Sequence, residues 1–350
     1  MVDRSPIPAA ILTGFLGAGK TSLLNTLLKD PMLSNACVII NEFGEIGIDH
    51  LLVEKTDDNI IELAAGCLCC TIRGDLINTI AELLAKRDAG EIKAFDRILI
   101  ETTGLADPGP VAQTFFMDEE IAEQYLLDSI LTLVDAKHAQ TQLDDRQEAR
   151  RQIGFADQIF ISKTDLVAED EVQALKHRLT HMNPRAPQKA VHFGEVAIKD
   201  VFDLRGFNLN AKLDIDPDFL KEDDHAGHDH EHGEHCDHPS HAAEQGHHHA
   251  HDDDVKSFVF RSDKPFSPAK LEDFLGAIVN IYGPRMLRYK GVLNMEGTER
   301  KVIFQGVHQL MGSDLGPAWA EGETKISKMV FIGIDLPKDI FTQGLEQCLV

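Results

Sequence analysis

Five stretches carry side chains whose types and spacing suit chemistry. The first is Gly14-Phe15-Leu16-Gly17-Ala18-Gly19-Lys20-Thr21, a G-x-x-x-x-G-K-T pattern. A phosphate chain is bound by several backbone N–H groups at once, and glycines let the backbone come close. Gly14, Gly17, Ala18, Gly19 and Ser22 are the backbone positions for that contact. Lys20 would place an ammonium on the β- and γ-phosphates, and Thr21 a hydroxyl on Mg²⁺. A helix starting at Lys20 adds its positive dipole end. The second stretch is Glu101-Thr102-Thr103-Gly104. A carboxylate there can hold the Mg²⁺ shell or orient the attacking water, and the Gly104 N–H can sense the γ-phosphate.

The third stretch is Ser162-Lys163-Thr164-Asp165. The Asp165 carboxylate can accept from N1–H and the exocyclic amine of guanine. Adenine has no such donor pair, so the residue selects GTP. The Lys163 stem would lie across the base. The plainer alternative is a strand-end turn with Asp165 capping a helix. Ser162 stands where GTPases usually carry asparagine. The fourth stretch, Cys67-Leu68-Cys69-Cys70, puts three thiols in four positions. Thiolates are soft ligands suited to Zn²⁺ and its neighbours, and tetrahedral Zn²⁺ needs at least one further ligand. Glu42 and Glu45 are candidates for it. The competing reading is a buried, reduced cluster acting as small apolar residues.

The fifth stretch runs from Glu222 to Asp254. It lacks Lys, Arg, Val, Ile, Leu and aromatic residues. It holds eleven of the seventeen histidines, among them His225, His228, His230, His232 and His235, and eleven acidic residues. Such a composition cannot bury a core and is expected to be disordered alone. Its imidazoles suit weak, exchangeable metal binding. Cys37 reads as core. His192 and His308 fall outside any ligand spacing.

These groups need elements to position them. Apolar runs at 7–13, 36–40, 59–64, 97–100, 130–134, 158–161 and 189–192 read as strands, and helical spacing recurs between them. Strands alternating with helices predict an α/β fold, a P-loop NTPase domain with a mostly parallel sheet and helices on both faces. Ligands bind such sheets at the C-terminal strand ends, where the polar motifs fall. Beyond the histidine-rich stretch, strand patterns at 257–260, 287–293, 301–304 and 328–334 and a helix at 268–281 predict a smaller α+β C-terminal domain. The expected division is 1–206, a linker 207–254, and 255–350.

The bulk properties narrow the partners. A length of 350 residues suits about two domains. The net charge of −24 disfavours nucleic acid and anionic membrane, which require a basic surface. No run of 18 apolar residues and no signal-peptide pattern is present, so a cytoplasmic protein is expected. Clustered cysteines in a reducing compartment point to metal or redox chemistry rather than disulfides.

Taken in order, Gly14–Thr21, Asn41-Glu42-Phe43-Gly44-Glu45, Gly66–Cys70, Glu101–Gly104 and Ser162–Asp165 resemble the CobW-type metallochaperone GTPases, with most likeness to the YjiA branch. UreG and HypB are more distant cousins. Ala106-Asp107-Pro108-Gly109-Pro110, Leu287-Arg288-Tyr289-Lys290-Gly291 and Phe304-Gln305-Gly306-Val307 extend the likeness into the C-terminal part. The resemblance implies a GTPase domain, a CobW-type C-terminal domain, and zinc or cobalt binding coupled to nucleotide. It implies that Cys69, flanked by Cys67 and Cys70, holds the metal. It places Glu45 and Asp49 in the first switch segment, near metal or Mg²⁺. Asp118 stands where relatives can carry a metal-contacting histidine, so the ligand set here can differ.

The function these expectations describe is a slow GTPase that binds Zn²⁺ and delivers it to a client metalloprotein. Its oligomeric state would be open to nucleotide or metal. The alternatives are a Co²⁺ chaperone serving cobalamin synthesis or a nitrile hydratase, and a nucleotide-regulated zinc buffer or sensor that delivers nothing.

Overall fold

The computed structural model describes residues 6–43, 60–65, 72–117, 119–192, 195–202, 204 and 253–350. Strands β1 (Ile7–Gly14), β2 (Ala36–Phe43), β3 (Ile60–Ala65), β4 (Arg97–Thr102), β5 (Tyr125–Asp135), β6 (Gln158–Ser162) and β7 (Gln188–Val191) form one sheet. Their order is β3-β2-β4-β1-β5-β6-β7, and the paired strands run parallel. The chain fills one side of β1 with β2, β3 and β4, then crosses to fill the other with β5, β6 and β7. Parallel pairing sends every C-terminal strand end to one edge, so the chain leaves β1, β3, β4 and β6 at that same edge.

Helices α1 (Lys20–Leu27), α2 (Ile72–Asp88), α3 (Pro108–Met117), α4 (Glu119–Gln124), α5 (Ala139–Asp145), α6 (Gln147–Phe155) and α7 (Glu169–Met182) cover the sheet. Burial on both faces explains why the central strands read as continuous apolar runs instead of alternating ones. One core unites Ile11, Ile39, Ile98, Ile130 and Ile161 with Ile80, Phe115, Ile153 and Leu179. The other unites Leu12, Val38, Leu99 and Phe160 with Leu23, Leu24 and Leu27 of α1. Ile198, Val201 and Phe202 also pack into this second core.

The second body holds β8 (Val255–Ser262), α8 (Pro268–Tyr282), β9 (Met286–Leu293), β10 (Arg300–Val307), β11 (Leu310–Ala318), β12 (Ser327–Ile334) and α9 (Lys338–Gln347). Its sheet has the order β11-β10-β9-β12-β8 and is antiparallel. The β10–β11 hairpin is longer than the sequence pattern indicates, and β11 carries no apolar stripe to announce it. One face of this sheet packs on α8 and α9, with Phe258, Phe331 and Phe341 in mutual ring contact.

The other face sits on the first body. Val255, Leu287, Val292, Val307, Val330 and Ile332 share the core that holds Ile153 and Phe155. Gly154 makes the approach close, since a Cβ there would lie 2.4 Å from Leu287 Cδ1. Asp157 and Arg288, each 5% exposed, form an ion pair across the junction at 2.5 Å. Two further pairs join Arg178 to Asp253 at 2.6 Å and Arg150 to Asp254 at 2.5 Å. Asp253 and Asp254, expected as the last linker residues, are therefore anchored, because arginines of the first body face them. No described helix is long and apolar enough to cross a membrane.

Candidate nucleotide and metal site

The site begins where β1 stops. Gly14 has φ 143°, and a Cβ there would sit 2.4 Å from the Leu133 carbonyl oxygen of β5, so glycine is required. Gly17 and Gly19 also hold positive φ, at 78° and 101°. The chain then enters α1 at Lys20, whose N-cap is Gly19. Lys20 is buried and its Nζ donates to the Gly14 carbonyl at 2.9 Å, folding back over the loop. Ser22, two residues further on, is exposed.

Thr21 and Glu101 are brought together from opposite ends of this region. The register aligns Leu12 of β1 with Glu101 of β4. Thr21 Oγ1 donates to Glu101 Oε1 at 3.2 Å, and Glu101 is only 2% exposed. A hydroxyl and a buried carboxylate in contact are hard oxygen donors of the kind Mg²⁺ takes. Just beyond, Gly104 lies against the phosphate loop, and a Cβ on it would be 2.6 Å from Leu16 N and 2.9 Å from Leu16 Cα. Gln152 of α6, missed by sequence reasoning, holds this turn from behind. Its Nε2 donates to the carbonyls of Gly104 at 3.2 Å and Ala106 at 3.0 Å. No sequence signal marks a lone helical glutamine for such a role.

The same turn continues toward the second body. Asp107 accepts from Gly109 N at 2.9 Å and from Arg151 Nη1 at 2.7 Å. His308, in the β10–β11 turn, approaches Gly109 so closely that a Cβ there would lie 2.6 Å from its Nε2. Its ring meets Phe155 edge-on at 5.1 Å. Burial pushes the imidazole below its ordinary range, with Asp107 opposing and Arg151 reinforcing. The sequence offered no ligand spacing for His308, and the structure gives it a packing position between the two bodies.

At β6 the base-loop motif meets the phosphate loop. Ser162 Oγ donates to the Ala18 carbonyl at 2.7 Å. Lys163 Nζ donates to the Gly17 carbonyl at 2.8 Å and to Asp135 Oδ2 at 2.6 Å. The serine in the usual asparagine position thus still ties this loop to the other. Asp165 is exposed at the start of a 3-10 turn, Thr164–Leu166. Burial pushes the Asp135 carboxyl up, but bonds from Lys163 and His138 outweigh it and hold it below the usual carboxylate range.

The metal candidates divide differently. Glu42 belongs to β2, where its backbone stands opposite Ala64 of β3. Cys67, Cys69, Cys70, Glu45, Asp49, Asp118 and the histidines His225, His228, His230, His232 and His235 lie outside the described residues. What the backbone fixes is the strand leading into the cysteine motif. β3 ends at Ala65, two positions before Cys67, and only β2 separates it from β4, which carries Glu101. Among the described residues no three His, Cys, Asp or Glu side chains converge as a metal-holding group. Cys37 is buried and its thiol is pushed up to about 12, which keeps it protonated and unsuited to metal.

Comparison with known proteins agrees with this organisation. Residues 8–189 match the model of the CobW/HypB/UreG nucleotide-binding domain. Residues 255–349 match the cobalamin synthesis protein cobW C-terminal domain. The chain is 36% identical to the zinc chaperone YjiA of Escherichia coli K12, over 96% of each chain. It is 29% identical to the zinc chaperone CobW of a Sinorhizobium species, over 95% of this chain and 94% of that one. A crystal structure of Zn(II)-bound YjiA GTPase from E. coli superposes with a TM-score of 0.76 at 31% identity, covering 99% of this chain and 100% of that one.

Proposed function

The chain belongs to the CobW/HypB/UreG family of nucleotide-binding proteins, and from that premise we propose that it is a GTPase metallochaperone that carries Zn²⁺ to a client metalloprotein. The observation that carries the reading is topological. The strand that precedes Cys67-Leu68-Cys69-Cys70 in the chain and the strand that carries Glu101 open on the same sheet edge, with one strand between them. A cargo site and a hydrolysis site so placed can bias one another through the segments between them.

The reaction is GTP hydrolysis at low intrinsic turnover. Water attacks the γ-phosphorus, a new P–O bond forms, and the bond to the β–γ bridging oxygen breaks, releasing GDP and phosphate. The backbone of Gly14, Gly17, Ala18, Gly19 and Ser22 cradles the phosphates, and Lys20 swings from the Gly14 carbonyl onto them. Thr21 and Glu101 hold Mg²⁺, which when bound neutralises charge on the phosphate oxygens. Gly104 reports the γ-phosphate through its N–H. Asp165 and the Lys163 stem select guanine. Zinc is cargo on Cys67, Cys69 and Cys70, with Glu42 or Glu45 completing the set and the histidine-rich stretch collecting metal weakly. Co²⁺ is the alternative cargo, since such ligands do not choose between the two ions. The protein acts in the cytoplasm, away from nucleic acid and membrane.

The test is a zinc titration against a chelating dye, with the protein loaded in turn with a non-hydrolysable GTP analogue and with GDP. Different affinities in the two states are expected. Equal affinities would end the switching idea and leave a zinc buffer.

A further inference from the structure

Asp135 closes β5 and takes no part in the function proposed above. It is nonetheless 1% exposed and fully engaged. Its Oδ2 accepts from Lys163 Nζ at 2.6 Å and from His138 Nδ1 at 2.9 Å. Its Oδ1 accepts from the Lys137 backbone N–H at 2.9 Å. The Lys163 ammonium reaches past it to the Gly17 carbonyl at 2.8 Å. Lys163 itself has φ 57°, in the left-handed region that a lysine rarely adopts without support. The preceding residue, Ser162, bridges to Ala18. Two successive residues of the base loop thus grip two successive carbonyl positions of the phosphate loop.

We propose that Asp135 is a positioning residue for guanine recognition. It fixes the Lys163 ammonium over the phosphate loop, and so presets the base loop, with Asp165 on it, against the triphosphate cradle. Three features require a carboxylate here. The Asp135 carboxylate, with 2% of its side chain exposed, gives the partly exposed Lys163 ammonium a fixed counter-charge. The strained Lys163 backbone needs an anchor. The gain from such presetting is an ordering cost removed before the nucleotide arrives. The inference rests on the guanine-nucleotide reading and adds how its specificity is maintained. The plainer role for Asp135 is to cap the chain entering α5 through Lys137 N, which would give stability alone.

Fluorescent guanine and inosine diphosphates are titrated into wild type, D135N, K163M and the D135N/K163M double variant. K163M keeps the aliphatic stem over the base and removes only the ammonium. Loss of a charge-assisted contact should weaken guanine binding roughly ten- to a hundredfold in each single variant. Acting through one another, the two changes should be non-additive, so that the double variant binds no worse than either single one. The preference for guanine over inosine, which lacks the exocyclic amine, should shrink in all three. Additive losses with that preference intact would reduce Asp135 to a cap and overturn the inference. So would wild-type binding by K163M, a variant that leaves the Asp135–Lys137 contact in place and tests the link even if D135N does not fold. Failure of the wild type to bind guanine nucleotide would instead overturn the nucleotide reading itself.

Discussion

Gly104→Ala is the sharpest test of how the turn after β4 meets the phosphate loop. The methyl group would arrive 2.6 Å from Leu16 N, 2.7 Å from Leu16 Cδ2 and 2.9 Å from Leu16 Cα. The leucine side chain can rotate away, but the two backbone atoms cannot. Ordinary contact begins near 3.4 Å, so turn and loop must part by about 0.8 Å. Gln152 holds the Gly104 carbonyl from the far side, so the turn has little room to retreat, and the strain passes into the loop or toward Glu101. A misplacement near 1 Å at a phosphoryl-transfer site costs about a hundredfold in rate. Single-turnover hydrolysis, with the protein in excess over GTP, should therefore slow about a hundredfold. GDP affinity should change less than tenfold, because the diphosphate lacks the γ-phosphate that this turn is proposed to contact. Thermal unfolding of the same samples separates misalignment from loss of fold. Hydrolysis within about threefold of wild type would refute the reasoning, since a rate that tolerates this displacement cannot depend on the turn's position.

The junction between the bodies offers another test. Asp157→Ala removes the counter-charge of Arg288 and the acceptor for Ile130 N, and should destabilise the protein by about 3–5 kcal/mol in urea unfolding. Adding Arg288→Met should restore part of that, because an apolar pair tolerates burial where a single charge does not. His308 is held below its ordinary range, so the unfolded chain binds its proton first. Stability should fall as pH drops through about 6.5 toward the folded value, and His308→Asn should flatten that slope in melts across pH 5–8. Deleting Glu222–Asp252, which spares the anchored Asp253 and Asp254, should lower bound zinc per chain in metal analysis. GTP turnover should be unchanged, and a lost rate would place the segment in the catalytic unit.

Much of this site is legible in the sequence because its parts are local. The phosphate loop declares itself within eight residues, which the fold places at the end of β1, whereas the cysteine motif, equally local in sequence, lies outside the described residues. Each strand that feeds a motif is a short apolar run, a pattern that burial on both faces imposes. What escapes the sequence is contact between distant residues. Asp135 looks like any strand-end aspartate until the fold brings Lys163 to it across 28 positions. Gln152 resembles a helix-surface glutamine until folding carries the carbonyls of Gly104 and Ala106 to its amide. His308 has no ligand-like spacing, and only the docking of the second sheet puts it beside Gly109. The β10–β11 hairpin hides for another reason, since β11 is an edge strand with no apolar alternation to report it.

The anchoring of Asp253 has a consequence for evolution. The chain leaves the first body at Leu204, whose N–H bonds Asp128 at 3.3 Å, and returns at Asp253, gripped through both oxygens by Arg178 of the same body. Departure and return are thus fixed independently of what lies between. Histidines can be gained, lost or shuffled in the interval 205–252 without altering any group of these two anchoring contacts. Tethering at both ends also confines any metal they hold to the neighbourhood of one molecule. Selection can then tune cargo capacity without disturbing the hydrolytic machinery.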